Sequence, residues 1–388
     1  MLPPAHLDSR FGPSQDIRAM RAAIPDSAAD PHSAVQLRFN GALNAVSASP
    51  DRDQVVVAGR EVLKILSVTD SEVKETLNLR IGVNAKQNLN CSSNDVKWGG
   101  SFARYTIATA ATNGAVVIWD LNRAGQQKME RVITEHSRAV NRICFNPAEA
   151  SILLSASQDG TMKLWDLRAK NVARHTFEGK AESVRDVQFS PGNPFEFAAA
   201  FENGNIQKWD IRNPLQFERK WSAHNGLALT VDWHADSRLV ASGGRDRQIK
   251  VWDMKSDSRK PVHTIQTMAP VARVSWRPGP GHEAQIASCA LLNDFRIHVW
   301  DLGRVFVPLV AVDVHESVAT DRLFVRTDMR GPATYRPINL LSTTALGWSI
   351  HGDLSFAIDE RRRDEGASGW GSPGTATTPV APAPAEID

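Results

Sequence analysis

Tryptophan followed by aspartate occurs five times along this chain, at Trp119-Asp120, Trp165-Asp166, Trp209-Asp210, Trp252-Asp253 and Trp300-Asp301. Successive tryptophans lie 46, 44, 43 and 48 residues apart, the length of a unit of four short strands. A unit of that size cannot bury its own faces, so its copies must stack around an axis. The spacing therefore predicts an all-β propeller in which five blades end at the Trp-Asp pairs.

The third blade shows the pattern most fully. It reads His136, the alternating run Val140 to Phe145, then Leu153 to Ser157, the turn Asp159-Gly160, and Met162 to Trp165. Asn146-Pro147 and Asp159-Gly160 are turn formers between period-two strands. Blade 5 repeats this with His224, Ser242, Asp246 and Trp252. In repeats of this kind the turn Asp, the His and a strand Ser form a hydrogen-bond chain ending at the Trp indole, which satisfies polar groups buried in the blade. His136, Ser155, Asp159 and Trp165, and their blade 5 counterparts, are thus expected to form a structural network rather than a catalytic one. Blades 2 and 4 carry Asn113-Gly114 and Asn203-Gly204 at the turn and have no His at the corresponding place, Lys180 following Gly179 in blade 4. They are expected to lack the chain and to rest more on packing.

Two degenerate units flank these five. Residues 43–79 alternate as a first blade whose Trp-Asp has been replaced, and residues 302–360 leave room for an imperfect seventh, within which Arg330 to Pro337 reads as a loop. Val35 to Phe39 alternates like a strand and is expected to close the ring by pairing near Leu346–Ile350 or Leu354–Ile358, because an open ring exposes unpaired edges. The expectation is a seven-bladed WD40 β-propeller over 35–360, the first and last blades degenerate. It lies between a flexible leader (1–34) and a disordered Gly/Ser/Pro/Thr/Ala tail (361–388). Within the leader, Ser14 to Ile24 reads either as a short helix or as disorder; in the tail, Trp370 is a candidate docking residue.

Composition narrows the function. Forty-five basic residues face 43 acidic ones, interspersed rather than gathered on one stretch, which argues against nucleic acid as a partner. The run Arg361-Arg362-Arg363 is bracketed by Asp359-Glu360 and Asp364-Glu365. Cys91, Cys144 and Cys289 are mutually distant, as expected of reduced thiols in a cytosolic or nuclear setting. No C-x-x-C pair offers zinc spacing. His282-Glu283 opens like a zinc-protease helix, but Ile286 stands where the second His is needed. No nucleophile elbow, phosphate loop, signal-peptide core or membrane-length apolar run occurs. The reading is a chain that is not an enzyme, with no cofactor, no metal and no direct membrane insertion.

Residues just before the turn Asp or Asn, with those opening each inner strand, should project at one rim: Arg138, Gln158, Glu182, Arg185, Glu202 and Arg245. Their mixed charges suit a polar protein partner. A rival reading rests on Trp165-Asp166-Leu167-Arg168 and Trp209-Asp210-Ile211-Arg212. This W-D-x-R pattern resembles substrate receptors of cullin-type ubiquitin ligases, and it implies that Arg168 and Arg212 dock on an adaptor.

More specific stretches are Val55 to Arg60, Leu77 to Arg80, Ala108 to Gly114, Glu182 to Phe189, Phe201 to Asn205, Gly243 to Asp246, Phe306 to Pro308 and Gly352 to Ala357. Together they resemble the amino-terminal propeller of the WD-repeat protein 24 family, whose fungal members are called restriction of telomere capping protein 1. The resemblance implies a non-catalytic scaffold subunit of the SEA-type coat complex, cytoplasmic and peripheral at the vacuolar or lysosomal membrane. Such a subunit regulates target-of-rapamycin signalling, the amino-acid response and autophagy. Its implied partners are other WD-repeat coat subunits, including a Sec13-like propeller, with amino-acid sensor proteins as further candidates. Family members continue into a helical solenoid and a Cys/His-rich zinc-binding end, which have no counterpart before Asp388.

Overall fold

The computed structural model describes residues 36–39, 43–69, 73–81, 83, 92–125, 127–169, 173–279, 281–291, 294, 296–312, 319–326, 335–341 and 348–352. At 36, at 38 and from 312 onward it describes the backbone alone. All of these belong to the unit Ser33–Asp353. The leader, the tail, the Ser14 to Ile24 segment, Cys91 and Trp370 lie outside the described residues.

After a first strand, β1 (Gln36–Phe39), six blades follow in chain order. Blade 1 is β2 (Leu43–Ala48), β3 (Gln54–Gly59), β4 (Leu63–Val68) and β5 (Val73–Asn78). Blade 2 is β6 (Ser93–Trp98), β7 (Thr106–Ala111), β8 (Val116–Asp120) and β9 (Met129–Ile133). Blade 3 is β10 (Val140–Phe145), β11 (Ile152–Ser157), β12 (Thr161–Asp166) and β13 (Ala173–Glu178). Blade 4 is β14 (Val184–Phe189), β15 (Glu196–Phe201), β16 (Asn205–Asp210) and β17 (Arg219–Ser222). Blade 5 is β18 (Ala228–Trp233), β19 (Leu239–Gly244), β20 (Gln248–Asp253) and β21 (His263–Gln266). Blade 6 is β22 (Val271–Trp276), β23 (Gln285–Ala290), β24 (Ile297–Asp301) and β25 (Val310–Val312). Each is an antiparallel sheet with its strands in chain order. The Trp of every Trp-Asp pair sits near the end of the third strand, opposite an apolar residue of the second, as Leu153 faces Trp165. In blade 1 that place belongs to Leu66, opposite Val55.

The apolar cores lie between blades. One cluster joins Val56 and Ile65 of blade 1 to Trp98 and Trp119 of blade 2. Another joins Leu154 and Phe177 of blade 3 to Phe197 and Trp209 of blade 4. A third joins Val251 and Ile265 of blade 5 to Trp276 and Trp300 of blade 6. No blade could keep its own tryptophan dry alone, which is the physical reason for the stacking.

The expectation of seven blades, the first and last degenerate, is corrected: six blades are present in full. The remaining strands, β26 (Ala319–Arg326), β27 (Tyr335–Leu341) and β28 (Trp348–Gly352), form a further four-stranded sheet with β1, in the order β1-β28-β27-β26. This segment has no Trp-Asp at the end of its third strand, and so none of the buried indole around which blades 2 to 6 pack. Its backbone pairing persists, with Leu37 opposite Ile350 and Phe39 opposite Trp348. The loop expected from Arg330 to Pro337 is also corrected at its end. Tyr335, Arg336 and Pro337 belong to β27, with Pro337 opposite Phe324. Phe39 meanwhile packs its buried ring into blade 1 against Leu43, Val57 and Leu66.

Candidate protein-binding rims

Four-stranded antiparallel blades place their turns alternately at two rims. One rim carries the turns between second and third strands and the links between blades. The other carries the turns between first and second, and between third and fourth, strands.

The first rim is held up by the intra-blade networks. In blade 3, His136 Nδ1 lies 2.9 Å from Asp159 and Nε2 lies 2.7 Å from Ser155 Oγ, which accepts from Trp165 Nε1 at 2.9 Å. Blade 5 repeats this at 2.9 Å for each of the three links, through His224, Asp246, Ser242 and Trp252. Burial would raise the Asp159 carboxyl, but hydrogen bonds from His136 and Thr161 outweigh it and hold the group well below the usual carboxylate range. Asp246 is lowered in the same way, burial being outweighed by His224 and the Asn225 N–H. Every strong acceptor in these networks is engaged inside the blade, which suits a brace rather than a proton-transfer centre.

Blades 2 and 4 solve the same problem with residues that sequence reasoning passed over. Trp119 Nε1 donates to Thr109 Oγ1 at 3.1 Å. Trp209 Nε1 donates at 3.1 Å to the Gln207 side-chain oxygen, whose amide nitrogen donates onward to the Gly179 carbonyl at 2.9 Å. A methyl at Gly179 would collide with the Phe201 ring, so the bare backbone there lets the loop reach Gln207. In blade 6 Trp300 donates to Ser288 Oγ at 2.8 Å, while His298 turns to Asp294 at 2.9 Å.

A second polar system stitches blade to blade at the axis. The first strand of every blade carries a bulge after its first residue, as between Val140 and Arg142. The bulged residue is turned away from the ladder. In blades 1 to 3 it is Asn44, Asn94 or Asn141, and each amide donates to the first carbonyl of the next inner strand, at 2.9, 2.9 and 2.6 Å. One residue further on, Arg142 bridges Asp95 at 2.8 Å and Asp186 at 3.2 Å, all three buried. The other oxygens of the two aspartates accept the Ile143 and Val231 N–H groups at 3.0 and 3.1 Å. The inner strands line an axial cavity of about 340 Å³ that includes Lys97, Cys144, Asp232 and Arg273. Burial pushes the Cys144 thiol up to about 11, partly offset by a hydrogen bond from the Phe189 backbone, so it is a poor nucleophile. Among the described residues, no group of three or more His, Cys, Asp or Glu is arranged to hold a metal ion. No helix among them is long and apolar enough to cross a membrane.

All six residues expected at the first rim fall on its turns and strand openings in blades 3 to 5, and some of their charges are engaged there. Arg185 pairs with Glu202 at 3.1 Å within blade 4, and Arg138 donates to the Gln158 carbonyl at 3.1 Å. Glu182 and Arg245 are exposed and have no ion pair among the described residues. At the opposite rim, Arg168 donates to both oxygens of Asp166, at 2.9 and 2.7 Å, which holds that carboxyl at about 2. Arg212 clasps Asp210 likewise and lies 4.7 Å above the Phe195 ring. In blade 5 the same service comes from Arg238, donating to Asp253 at 3.0 and 2.7 Å. The arginine of W-D-x-R therefore has an intramolecular task, to fix the Asp that ends the third strand.

Comparison with known proteins agrees with this architecture. Residues 80–282 match the family model described as nucleolar protein 10-like, N-terminal domain. The chain is 43% identical over 353 residues to the GATOR2 complex protein WDR24 of Danio rerio, covering 87% of this chain and 44% of that one. It is 43% identical to the Homo sapiens protein of the same name, over 82% of this chain and 42% of the relative. Restriction of telomere capping protein 1 of Candida albicans (strain WO-1) is 27% identical over 80% of this chain and 34% of its own. The chain thus spans less than half the length of the curated relatives it matches. A chain in the crystal structure of the mitotic checkpoint complex shares the fold, with a TM-score of 0.65 at 18% identity over 91% of this chain and 98% of its own. On these matches and on its blade geometry, the chain belongs to the WD-repeat protein 24 family, as a β-propeller of the kind that the nucleolar protein 10-like N-terminal domain model describes.

Proposed function

We propose that the chain is a non-catalytic scaffold of a multiprotein coat of the SEA or GATOR2 type, working upstream of target-of-rapamycin signalling in the amino-acid response and autophagy. The observation that carries this reading is the 43% identity over 87% of the chain to a protein named as part of the GATOR2 complex. The internal engagement of the His, Asp and Arg groups supports the non-catalytic part, since it leaves the rims, not the interior, as working surfaces. In this reading the protein is cytoplasmic and peripheral at the vacuolar or lysosomal membrane. Its partners are other WD-repeat subunits, among them a small Sec13-like propeller, with amino-acid sensors as further candidates. The ring is closed by the sheet of β1 and β26–β28 acting as a seventh blade. Support for that comes from β26 lying beside β2 and β22, and from a bulge between Ala319 and Asp321 like that of the other inner strands.

The test is affinity purification with mass spectrometry, on the wild type and on a Glu202→Lys, Arg245→Glu variant. These are surface changes, so stability should move by no more than about 0.5 kcal/mol, while recovery of coat subunits should drop. Unchanged partners and yields would remove the first rim as the docking face. Recovery of a cullin adaptor that disappears with Arg168→Ala, Arg212→Ala would replace the coat reading with the ligase-receptor one.

A further inference from the structure

The second rim carries a feature that the W-D-x-R motif does not account for. In blade 4 the turn after the third strand presents Arg212, Pro214 and Leu215, and Leu215 is 90% exposed. In blade 5 the corresponding turn presents Arg259, Lys260, Pro261 and an exposed Val262. In blade 6 it presents Arg304, Phe306, Val307 and Pro308, and Phe306 is 92% exposed. Three neighbouring blades thus repeat cation, proline and bare apolar side chain at one place. Among the described residues, the same turns of blades 1 to 3 expose no large apolar side chain.

These turns are held in place. Ile211 and Phe217 pack into the core between blades 3 and 4, on either side of Leu215 in sequence. Leu302 and Val305 pack into the core between blades 5 and 6 just before Phe306. The blade 5 turn is tied to the outer strand of blade 4, where Arg219 donates to the Ser256 and Ser258 carbonyls. Leu215 and Phe306 are therefore presented on anchored turns, which lowers the entropic cost of binding through them.

The charge around them is mainly positive, with an exposed carboxylate, Glu283, on the adjoining turn of blade 6. Glu218 is taken up by Lys208 at 3.0 Å and Asp257 faces Arg219 at 3.7 Å. Lys255, Arg259, Lys260 and Arg304 are exposed and have no ion pair among the described residues. An apolar tip between unpaired cations is complementary to carboxylates flanking an apolar side chain.

We infer that the turns after the third strands of blades 4 to 6 form a docking surface for an acidic protein segment bearing aliphatic or aromatic side chains. This rests on the scaffold reading and adds a second face to it, distinct in chemistry from the polar, mixed-charge first rim. The experiment places the photo-cross-linker p-benzoyl-L-phenylalanine at Leu215 or at Phe306 in the full chain, irradiates the cells, and identifies the adducts by mass spectrometry. The expected adduct at both positions is a net-negative peptide of another protein containing Leu, Ile or Phe. Its yield should drop roughly fivefold or more when Arg259→Glu and Arg304→Glu are added, with the melting temperature unchanged. A lipid adduct, a peptide of a second copy of this chain, a neutral or basic peptide, or a yield indifferent to charge reversal would each overturn the inference. Coat subunits that co-purify while neither position cross-links overturn it and leave the scaffold reading standing. An acidic adduct without any coat subunit does the reverse.

Discussion

Blades 3 and 4 share a cluster of buried side chains and face the same task, yet they keep a buried indole satisfied by different chemistry. Blade 3 runs from Trp165 through Ser155 and His136 to Asp159. Blade 4 runs from Trp209 through Gln207 to a backbone carbonyl, and surrounds the indole with rings. Phe197 is stacked at 6.2 Å, and Phe177 and Phe217 meet Trp209 edge-on at 5.6 and 5.9 Å. Among the described residues, blade 3 has only the His136 ring near its indole, at 6.1 Å. The fold demands that the N–H be satisfied and the ring be buried; it does not specify whether a charged relay or a neutral amide does the first.

The largest expected effect bears on the rings. Trp165→Ala and Trp209→Ala should each cost roughly 3–5 kcal/mol. The blade 4 change should cost about 1 kcal/mol more, because it strips three ring contacts rather than one. Urea midpoints at constant slope measure this, and equal midpoints would break the contrast. Removing the relays comes next. His136→Ala and Gln207→Ala should each cost about 1–3 kcal/mol by leaving buried partners unsatisfied, and a neutral Gln207→Ala would mean that the rings alone suffice. The smallest effect is in pH. Asp159 titrates lower in the folded protein than when unfolded, so its contribution is complete above the ordinary aspartate value of about 3.9 and is lost as pH drops from there toward the lowered folded value. The stability gap between wild type and His136→Ala should therefore narrow below about pH 4, whereas the gap for Gln207→Ala should stay level. Parallel pH profiles for the two variants would remove the distinction.

Much of this was legible in the sequence, for a physical reason. Strands that alternate, and turns that need Asn, Asp or Gly, leave local marks, so the five Trp-Asp strands and the His-Ser-Trp order of blades 3 and 5 can be read directly. Gln207 escaped because the eye looks for a His before the first strand, while the amide reaches the same indole from two residues away on its own strand. Arg142, Asp95 and Asp186 escaped because they lie on three different blades, and only the stacking of consecutive blades makes them neighbours. Tyr335 to Pro337 was misread because Pro usually argues against a strand, although an antiparallel strand tolerates it where its N–H is not required. Leu215 lies in a turn that sequence alone marks only as Pro-containing, and Phe306 entered only through the family resemblance, neither being marked as exposed.

The pairing of Leu37 with Ile350 also sets a clock. At roughly 5–20 residues per second, the partner of β1 leaves the ribosome some 15–60 s after β1 itself. During that interval the first strand has no ladder, and Phe39 can only rest on the blade 1 core. The edge that β28 covers in the folded chain is thus exposed until late in synthesis. The nascent chain, rather than the mature propeller, is the species most in need of a chaperone.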